Sequence, residues 1–493
     1  MPYFCRVMPP LESYTKEELV QLAKQQWYEL EKLKKLIYGA KSERFVPELG
    51  SDAQQLRLRF GEEAEVAPEA VKEQITYERT KPEKKSTPHG RGLLPEHLER
   101  KIIVIEPEED TAGMVKIGED ITEVLEIVPP QLYVKRYVRP RYARPQGQGV
   151  VQALAPSLPI PRAIAGVTLL AYIIVSKFVD HLPIDRICKM FAREGIKIPT
   201  STVCDWIAAV FTLLKPLYDL HCSLLIDQPY LQIDETRMQV MDSKVKGKTH
   251  RGYDWVVYSP VTRALGVWYY PGRKAEYPKE LLKGFKGRLQ SDGYVVYDHF
   301  EKDKDISLFS CWAHARRKFY EARSNDQKRA EYMIIHIKWL YAIEDFARRM
   351  QMTHEERLAL RQEHTKPILD HIRSWMEKHR YQVLPKEPIG EAFKYVLERW
   401  DKLCRYTDHG DVEIDNNLVE NSIRPIALGR KNYLFAGSEE GAKRGAMFYT
   451  FFGTCLKNDI NPSEWFNDVI DRVADHPVNR LQELLPQNWV KNR

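Results

Sequence analysis

Three acidic residues could together form a metal-dependent catalytic site. Asp234 ends one apolar run and Asp292 ends another, and Glu420 lies much later in a stretch of helical character. Cleavage of a phosphodiester by hydroxyl attack needs carboxylate oxygens that hold two divalent cations about 4 Å apart. Two aspartates at neighbouring strand ends would point to one edge of a sheet, with the glutamate on a helix beside it. The pattern predicts nucleotidyl transfer with two Mg²⁺ or Mn²⁺ ions, and all three acids as catalytic residues and metal ligands.

Other acids compete for these places, so the spacing leaves alternatives open. Glu235 adjoins the first aspartate but would face the other side of a strand, because successive side chains alternate. Asp298 would be the second ligand if the run Tyr294–Tyr297 were the core strand. Asp415 is expected in the loop before Glu420. Three unrelated surface acids would also satisfy the same spacing.

Composition narrows the class of protein without identifying a partner. The 493 residues suffice for about three domains. The net charge of +6, from 75 basic and 69 acidic residues, is too small to indicate a nucleic-acid partner by itself. The 7 cysteines are scattered, which fits a reducing cytoplasm. The most apolar stretch, Ala163–Val175, is too short to span a membrane, so none is expected.

The first 150 residues divide into three segments by their patterns. Residues 14–45 carry apolar residues at alternating spacings of four and three, which predicts a coiled-coil helix or a helix packed on its own domain. Residues 46–99 have the polar composition of a linker. Residues 100–150 are rich in β-branched residues and predict a small β module, with a strand at Tyr133–Val138.

A basic run in this β module alternates cations with aromatic or apolar residues. Its arginines Arg136, Arg139 and Arg141 would present one face of a strand to DNA phosphates. A solvated strand face is the alternative.

Residues 160–225 are helical and show the order of a helix-turn-helix. An amphipathic helix, Pro183–Gly195, precedes a short turn and a second helix, Val203–Val210, that Ser201 or Thr202 would cap. We expect these two hydroxyl residues to contact DNA. A plain αα-hairpin in a core would show the same pattern.

The remaining chain predicts an α/β core with a helical insertion. Residues 229–324 read as β-β-β-α-β-β-α, the order of a ribonuclease-H-like core, which residues 413–455 would complete. Residues 325–412 are helical without a strand signal, and residues 456–493 predict a helical tail.

Several segments, all in the same chain order, resemble the insertion-sequence-66 family of bacterial DDE transposases. They are Lys35–Arg44, Lys177–Pro183, Gln290–Tyr294, Cys311–Phe319, Asp415–Asn432, Asp475–Arg480 and Glu483–Pro486. The resemblance implies a ribonuclease-H-like DDE core with Asp234, Asp292 and Glu420 as the catalytic triad.

One departure from the family concerns zinc. Family members often carry a small zinc-binding module with cysteine pairs, and the corresponding stretches, near residues 110–116 and 142–148, contain no cysteine. We therefore expect no zinc there, because thiolates would be its main ligands. Cys311 and His314 form a C-x-x-H pair that we expect to be structural, although a role in orienting DNA or the active site is possible.

A basic group follows the glutamate. Arg424, Arg430 and Lys431 would neutralise DNA phosphates near the cut, unless they form a solvated face or Arg424 pairs with Glu420 one turn away. Trp312 and Tyr433 could stack on unpaired bases, although each would more often belong to the core.

The sequence therefore predicts a transposase of an insertion sequence. It would bind terminal inverted repeats and target DNA, act as a homo-oligomer, and work in the cytoplasm at the nucleoid, with accessory proteins of the same element as further partners. A nuclease or resolvase on the same core, and a non-catalytic domesticated DNA-binding protein, are the alternatives.

Overall fold

The computed structural model describes residues 131–143, 150–153, 156–161, 163–242, 245 and 247–490. The part up to Pro156 belongs to one compact unit and the part from Ser157 to another. The predicted coiled-coil helix, the linker and most of the β module lie outside the described residues.

The described part of the smaller unit contains an antiparallel strand pair, β1 (Arg141–Ala143) and β2 (Val150–Gln152). The predicted strand Tyr133–Val138 is wrong, because residues 131–140 have no regular structure and their side chains are exposed. A strand needs a partner for its backbone groups, and none pairs with this segment within the described chain. Arg139 instead donates a side-chain hydrogen bond of 3.1 Å to the carbonyl of Ala153.

The described part of the larger unit begins with three helices, α1 (Val167–Phe178), α2 (Ile184–Arg193) and α3 (Thr200–Ile226). The third starts earlier and ends far later than predicted. Its N-cap is Pro199 and no side chain caps it, so the predicted cap at Ser201 or Thr202 is wrong. Both residues already lie in its first turn.

The length of α3 follows from its burial. Apolar side chains from Val203 to Leu225 pack into the hydrophobic core at helical spacing, so the helix continues past Val210. By length and composition alone, α3 is also the one helix in the described chain that could cross a membrane, and a core helix passes the same test.

Five strands form the central sheet, in the order β5–β4–β3–β6–β7. The strands are β3 (Tyr230–Met241), β4 (Thr249–Ser259), β5 (Ala264–Tyr270), β6 (Gly287–Ser291) and β7 (Ile306–Ser310). Strands β3, β4 and β5 are antiparallel neighbours, whereas β6 runs parallel to both β3 and β7. A short helix, α4 (Glu276–Leu281), precedes β6.

Side chains of the sheet alternate between two hydrophobic clusters. Val256 packs with α1 and α3 on one face, while its neighbours Trp255 and Val257 pack with α4 on the other. The remaining helices are α5 (Trp312–Glu321), α6 (Gln327–Arg349), α7 (His354–Leu360), α8 (Lys366–His379), α9 (Pro388–Glu398), α10 (Trp400–Cys404), α11 (Asn417–Tyr433), α12 (Glu439–Lys457) and α13 (Pro462–Arg472). Helix α11 lies on β3 and β4, and α12 lies on β5.

Helices α5, α6, α8, α9 and α10 enclose a third hydrophobic cluster, to which Tyr230 of β3 and Phe309 of β7 also contribute. A buried ionic cluster ties this helical stretch to the loop before α11. Arg357 bonds to Glu344 and to Glu413 at 2.9 Å, and Arg361, which is fully buried, bonds to Glu344 at 2.8 Å. We call these four residues the ionic cluster.

Candidate active site

The parallel pair β3 and β6 brings the two aspartates side by side. Leu231 pairs with Leu289 and Gln232 with Gln290, so two further steps place Asp234 beside Asp292. Glu420 lies in the first turn of α11, the helix packed on β3. The structure thus brings together the three acids that the sequence predicted as a site, and we call them the carboxylate cluster.

The electrostatics of the cluster show how close these acids are. Burial raises the pKa of Asp234 well above its ordinary value, and the charges of Asp292 and Glu420 raise it further. Burial also raises the pKa of Glu420 to about 7, against the opposing effect of Arg317. Uncompensated carboxylates of this kind favour either a proton or a cation.

The loop that carries Asp292 is held by the end of the helical stretch. Tyr395 donates its hydroxyl to the carbonyl of Asp292 at 2.6 Å, and Arg399 donates to the carbonyl of Gly293 at 3.1 Å. Gly293 has φ +85°, and an added Cβ would lie 2.8 Å from Arg399 Nε. Both the backbone angle and the close contact therefore require glycine here.

The competing acids are engaged elsewhere. Glu235 lies on the opposite sheet face from Asp234, where it accepts a 2.8 Å hydrogen bond from Tyr297 and forms an ion pair with Arg273. Asp298 lies in a 3₁₀ turn rather than at a strand end, and Lys402 binds it at 2.8 Å.

Cys311 and His314 lie directly against the carboxylate cluster. His314 Nδ1 is 3.6 Å from Glu420 Oε1, and both atoms are buried without a hydrogen-bond partner. One ligand atom each from Cys311, His314 and Glu420 lie within 4.8 Å of one another, which is close enough to hold a metal ion. Burial lowers the pKa of His314 to about 4, so its imidazole is neutral at neutral pH.

Trp312 is fully buried and donates its indole N–H to the carbonyl of Leu403 at 2.8 Å. It belongs to the core, so the suggestion that it stacks on DNA bases is wrong.

The three basic residues predicted after Glu420 lie on α11, in different environments. The charge of Arg424 lowers the pKa of Glu420. Burial and neighbouring acids raise the same pKa by more. Arg430 turns to the sheet, donating to Thr236 Oγ1 at 2.7 Å, and Lys431 is exposed.

The other predicted DNA contacts lie on segments that carry no acid of the carboxylate cluster. Ser201 is exposed and Thr202 half-buried in the first turn of α3, and Arg136, Arg139 and Arg141 are exposed in the smaller unit.

Sequence patterns missed several residues that shape this site. Arg317 lies one turn after His314 on α5, and its charge acts on Glu420. Tyr395 and Arg399 are more than 100 positions from the loop they hold. The basic run around Arg317 was visible in the sequence, but no local signal marks the other two.

Four family models match the chain. Residues 162–444 match "Transposase IS66 family", residues 450–487 match "IS66 C-terminal element", residues 26–103 match "Transposase C of IS166 homeodomain", and residues 109–145 match "zinc-finger binding domain of transposase IS66".

Similar proteins occur in Sinorhizobium fredii. The chain is 33% identical over 492 residues to the uncharacterized protein y4hP, covering 93% of this chain and 88% of the relative. It is 34% identical over 482 residues to the uncharacterized protein y4qI, with the same two coverages of 93% and 88%.

The match over residues 109–145 corrects one expectation from the sequence. The lack of cysteines there led to the expectation of no zinc, and that expectation is wrong, because the stretch matches the zinc-finger module of the family. Cysteine content was an insufficient criterion for recognising this module.

Proposed function

Since this chain belongs to the IS66 family of transposases, we propose that it cleaves DNA at the ends of a bacterial insertion sequence and joins them to a target. The observation that carries the proposal is the carboxylate cluster, in which Asp234, Asp292 and Glu420 meet at one edge of the sheet with few compensating charges.

The chemistry of the cluster fits two Mg²⁺ or Mn²⁺ ions. Carboxylate oxygens are the ligands these cations prefer, and Glu420 Oε1 is a buried acceptor without a donor. When bound, the ions would activate the attacking oxygen and stabilise the leaving oxygen. Asp234, Asp292 and Glu420 would hold them.

The remaining residues of the site would orient rather than react. Tyr395 and Arg399 fix the backbone of the Asp292 loop, and Tyr297 with Arg273 holds Glu235 behind it. Preorganisation of this kind lowers the cost of assembling the site during the reaction.

Two successive displacements at phosphorus would complete the reaction. Water attacks the phosphodiester at each element end, a P–O bond forms, and the 3′ oxygen leaves as a hydroxyl. That hydroxyl then attacks a target phosphate and displaces a target 3′ oxygen. No covalent bond between protein and DNA is required.

The strand order supports a ribonuclease-H-like core, since three antiparallel strands are followed by two parallel ones. Helices α2 and α3, joined through Gly195 with φ +82°, would serve as the helix-turn-helix. We assign the DNA contacts to Ser201, Thr202, Arg136, Arg139, Arg141, Arg424, Arg430 and Lys431. A homo-oligomer in the cytoplasm, at the nucleoid, would hold two element ends, with accessory proteins of the element as further partners.

A strand-transfer assay tests this function. Full-length protein is incubated with Mg²⁺ and a labelled duplex that carries the inverted repeats flanking its own gene. We expect cleaved ends and joined products. Asp292→Asn should abolish both, and Asp298→Asn, a nearby acid outside the cluster, should retain both. Cleavage without joining would indicate a nuclease, and binding without cleavage would indicate a non-catalytic DNA-binding protein.

A further inference from the structure

A cavity of about 280 Å³, lined in part by Met238 and Asp254 on the same sheet face as Asp234, has no role in the reaction described above. Helices α1, α2, α3, α11 and α12, strands β3 and β4 and the loop between α11 and α12 form its walls. The side chains that matter for its chemistry are Lys177, Asp254, Tyr433, Phe435 and Arg444.

Asp254 places an unsatisfied acceptor in this cavity. It is only 1% exposed, and its Oδ1 has no hydrogen-bond partner. A buried carboxylate oxygen without a donor is unfavourable, and a ligand that supplies an N–H would remove the cost. Burial raises the pKa of Asp254 to about 7, even with Arg430 nearby to lower it.

Asp254 also has a defined position relative to the reaction centre. On β4 it lies two residues from Val256, which pairs with Asp234. Side chains two apart share a face, so Asp254 and Asp234 point to the same side, about 7 Å apart along the strand. This is close to the spacing between successive nucleotides of an extended strand.

Lys177 and Arg444 bring positive charge to the lining of the cavity. The ammonium of Lys177 lies 4.4 Å from the centre of the Tyr433 ring and 5.1 Å from that of Phe178. Helix α12, which is 19 residues long, begins there with Ser438 as its N-cap. The N-terminus of a helix carries partial positive charge and attracts anions such as phosphate.

Aromatic rings complete the lining. Tyr433 is held by a 2.6 Å hydrogen bond to the hydroxyl of Tyr449, and Phe435 is 38% exposed at the rim. Aromatic faces of this kind stack on unpaired bases.

We propose that this cavity binds one unpaired nucleotide of the DNA substrate, turned out of the duplex, with a preference for guanine. Asp254 accepts hydrogen bonds from the base, Tyr433 and Phe435 contact its ring, and Lys177 with the start of α12 faces a phosphate. The cavity is near the lower size limit of small-molecule pockets, roughly 300 Å³, so it fits one nucleotide and not a duplex.

The preference for guanine follows from the acceptor. Guanine carries an imino and an amino donor on one edge, which a carboxylate can accept together, as it does from a guanidinium. Thymine offers one imino donor between two carbonyl oxygens that a carboxylate repels. The inference rests on the proposed function and adds a determinant of base specificity to it.

The test is equilibrium binding without divalent cations, so that no cleavage occurs. Full-length protein is titrated into labelled duplexes of one sequence that are fully paired or carry a single bulged guanine, thymine or abasic site. Fluorescence anisotropy gives each Kd. We expect the bulged-guanine duplex to bind about tenfold more tightly than the paired or abasic duplex, and several-fold more tightly than the bulged-thymine duplex.

Two variants distinguish recognition of the base from recognition of the phosphate. Asp254→Asn is isosteric and should remove the preference for guanine over thymine while leaving affinity for the paired duplex unchanged. Lys177→Gln should weaken binding of the bulged-guanine and bulged-thymine duplexes by a similar factor and reduce the salt dependence of that binding. Asp227→Asn, at an exposed position at the end of α3, is the matched control and should change neither.

Equal affinities for all four duplexes, or a guanine preference that survives Asp254→Asn, would overturn the inference. So would binding of free dGMP through Asp254 without any preference among the duplexes, because that result assigns the cavity to a free nucleotide. Failure to bind any duplex would instead count against the proposed function. If Asp254→Asn does not fold, the comparison of bulged duplexes and the Lys177→Gln result still decide.

Discussion

Two groups of buried acids lie a short distance apart in this protein, and they differ in how their charge is neutralised. In the ionic cluster, the carboxylates of Glu344 and Glu413 each accept hydrogen bonds from the guanidinium of Arg357, and Arg361 adds a further donor to Glu344. In the carboxylate cluster, Glu420 keeps a buried oxygen without any donor.

The pKa shifts of the two groups run in opposite directions. Burial raises the pKa of Glu413, but the hydrogen bonds and charge of Arg357 outweigh it and the net shift is downward. Burial and neighbouring acids raise the pKa of Asp234 well above its ordinary value. Burial alone therefore does not distinguish a structural acid from a functional one. A basic side chain of the protein that pairs with the acid does distinguish them.

The two clusters do different work for this reason. The ionic cluster is complete in itself and clamps α6 and α7 to the loop that leads into α11. The carboxylate cluster has no such partner in the protein, at a cost in stability that the cations of the proposed reaction would remove. The first positions the helix that carries Glu420, and the second performs the chemistry that we propose.

Neutralising an acid of the carboxylate cluster should have the largest effect on activity. Asp234→Asn should reduce DNA cleavage by roughly 1000-fold or more, because a metal ligand is lost. The metal-free protein should unfold at the same or a higher temperature, because repulsion among the acids is relieved. Cleavage rates and thermal unfolding, measured on the same preparation, check both. Lost activity accompanied by lower stability would mean that Asp234 is structural.

Removing a cation from the ionic cluster should have the largest effect on stability. Arg361→Met leaves the buried carboxylate of Glu344 short of a partner and should lower the free energy of unfolding by about 3–5 kcal/mol. Urea denaturation measures this free energy of unfolding. Lys443→Met, which breaks the exposed pair with Glu440, is the matched control and should change it by less than about 1 kcal/mol.

A double variant checks the origin of that loss. Glu344→Met together with Arg361→Met removes both charges and should recover part of the lost stability. If the double variant is as unstable as the sum of the two single ones, the pair interaction is not the cause.

Local pattern proposed the acids of the carboxylate cluster, and the family resemblance selected them from the alternatives that spacing left open. An apolar run that ends in an acid marks a strand end, and parallel strands bring such ends together, as β3 and β6 do for Asp234 and Asp292. The alternation of side chains also placed Glu235 on the other face. These inferences depend on backbone geometry that every strand shares.

The residues that hold the Asp292 loop, and the ionic cluster, could not be predicted in the same way. Tyr395 and Arg399 reach the Asp292 loop across 103 and 106 positions, and no periodicity encodes such a contact. The ionic cluster likewise joins residues on α6 and α7 to Glu413. The strand predicted at Tyr133–Val138 failed because β-branched composition does not supply a partner strand.

Divalent cations should stabilise the folded protein by binding the carboxylate cluster, and this stabilisation should not depend on the ionic cluster. Mg²⁺ or Mn²⁺ at about 100 times its Kd should stabilise the folded protein by about 2.7 kcal/mol, since it binds the native site. Thermal unfolding with and without the cation measures this shift. Glu420→Gln should remove it, and Arg361→Met should keep it despite a lower starting Tm. A shift that persists in Glu420→Gln would place the cation elsewhere.

Asp254 extends the comparison to a single acid outside both clusters, and here the expected effect is smallest. Burial raises its pKa to about 7, whereas the pKa of an aspartate in an unfolded chain is about 3.9. The folded state then binds more protons between these values, so the contribution of Asp254 to stability is greatest at low pH and falls as the pH rises to about 7. Arg430 is the charged group that opposes the shift.

Asp254→Asn removes this titration. At about pH 8 the variant should be more stable than the parent chain by roughly 1–3 kcal/mol, and the advantage should shrink towards about pH 5, where Asp254 is protonated. Urea unfolding at several pH values measures the difference, and Asp227→Asn should show none. A difference in the free energy of unfolding that stays constant across the pH range would mean that the folded protein already compensates the charge of Asp254. A difference that shrinks towards about pH 5 would show that the chain keeps an unpaired acid in this cavity, although asparagine would make the fold more stable. This is expected of a residue whose role is to bind a ligand.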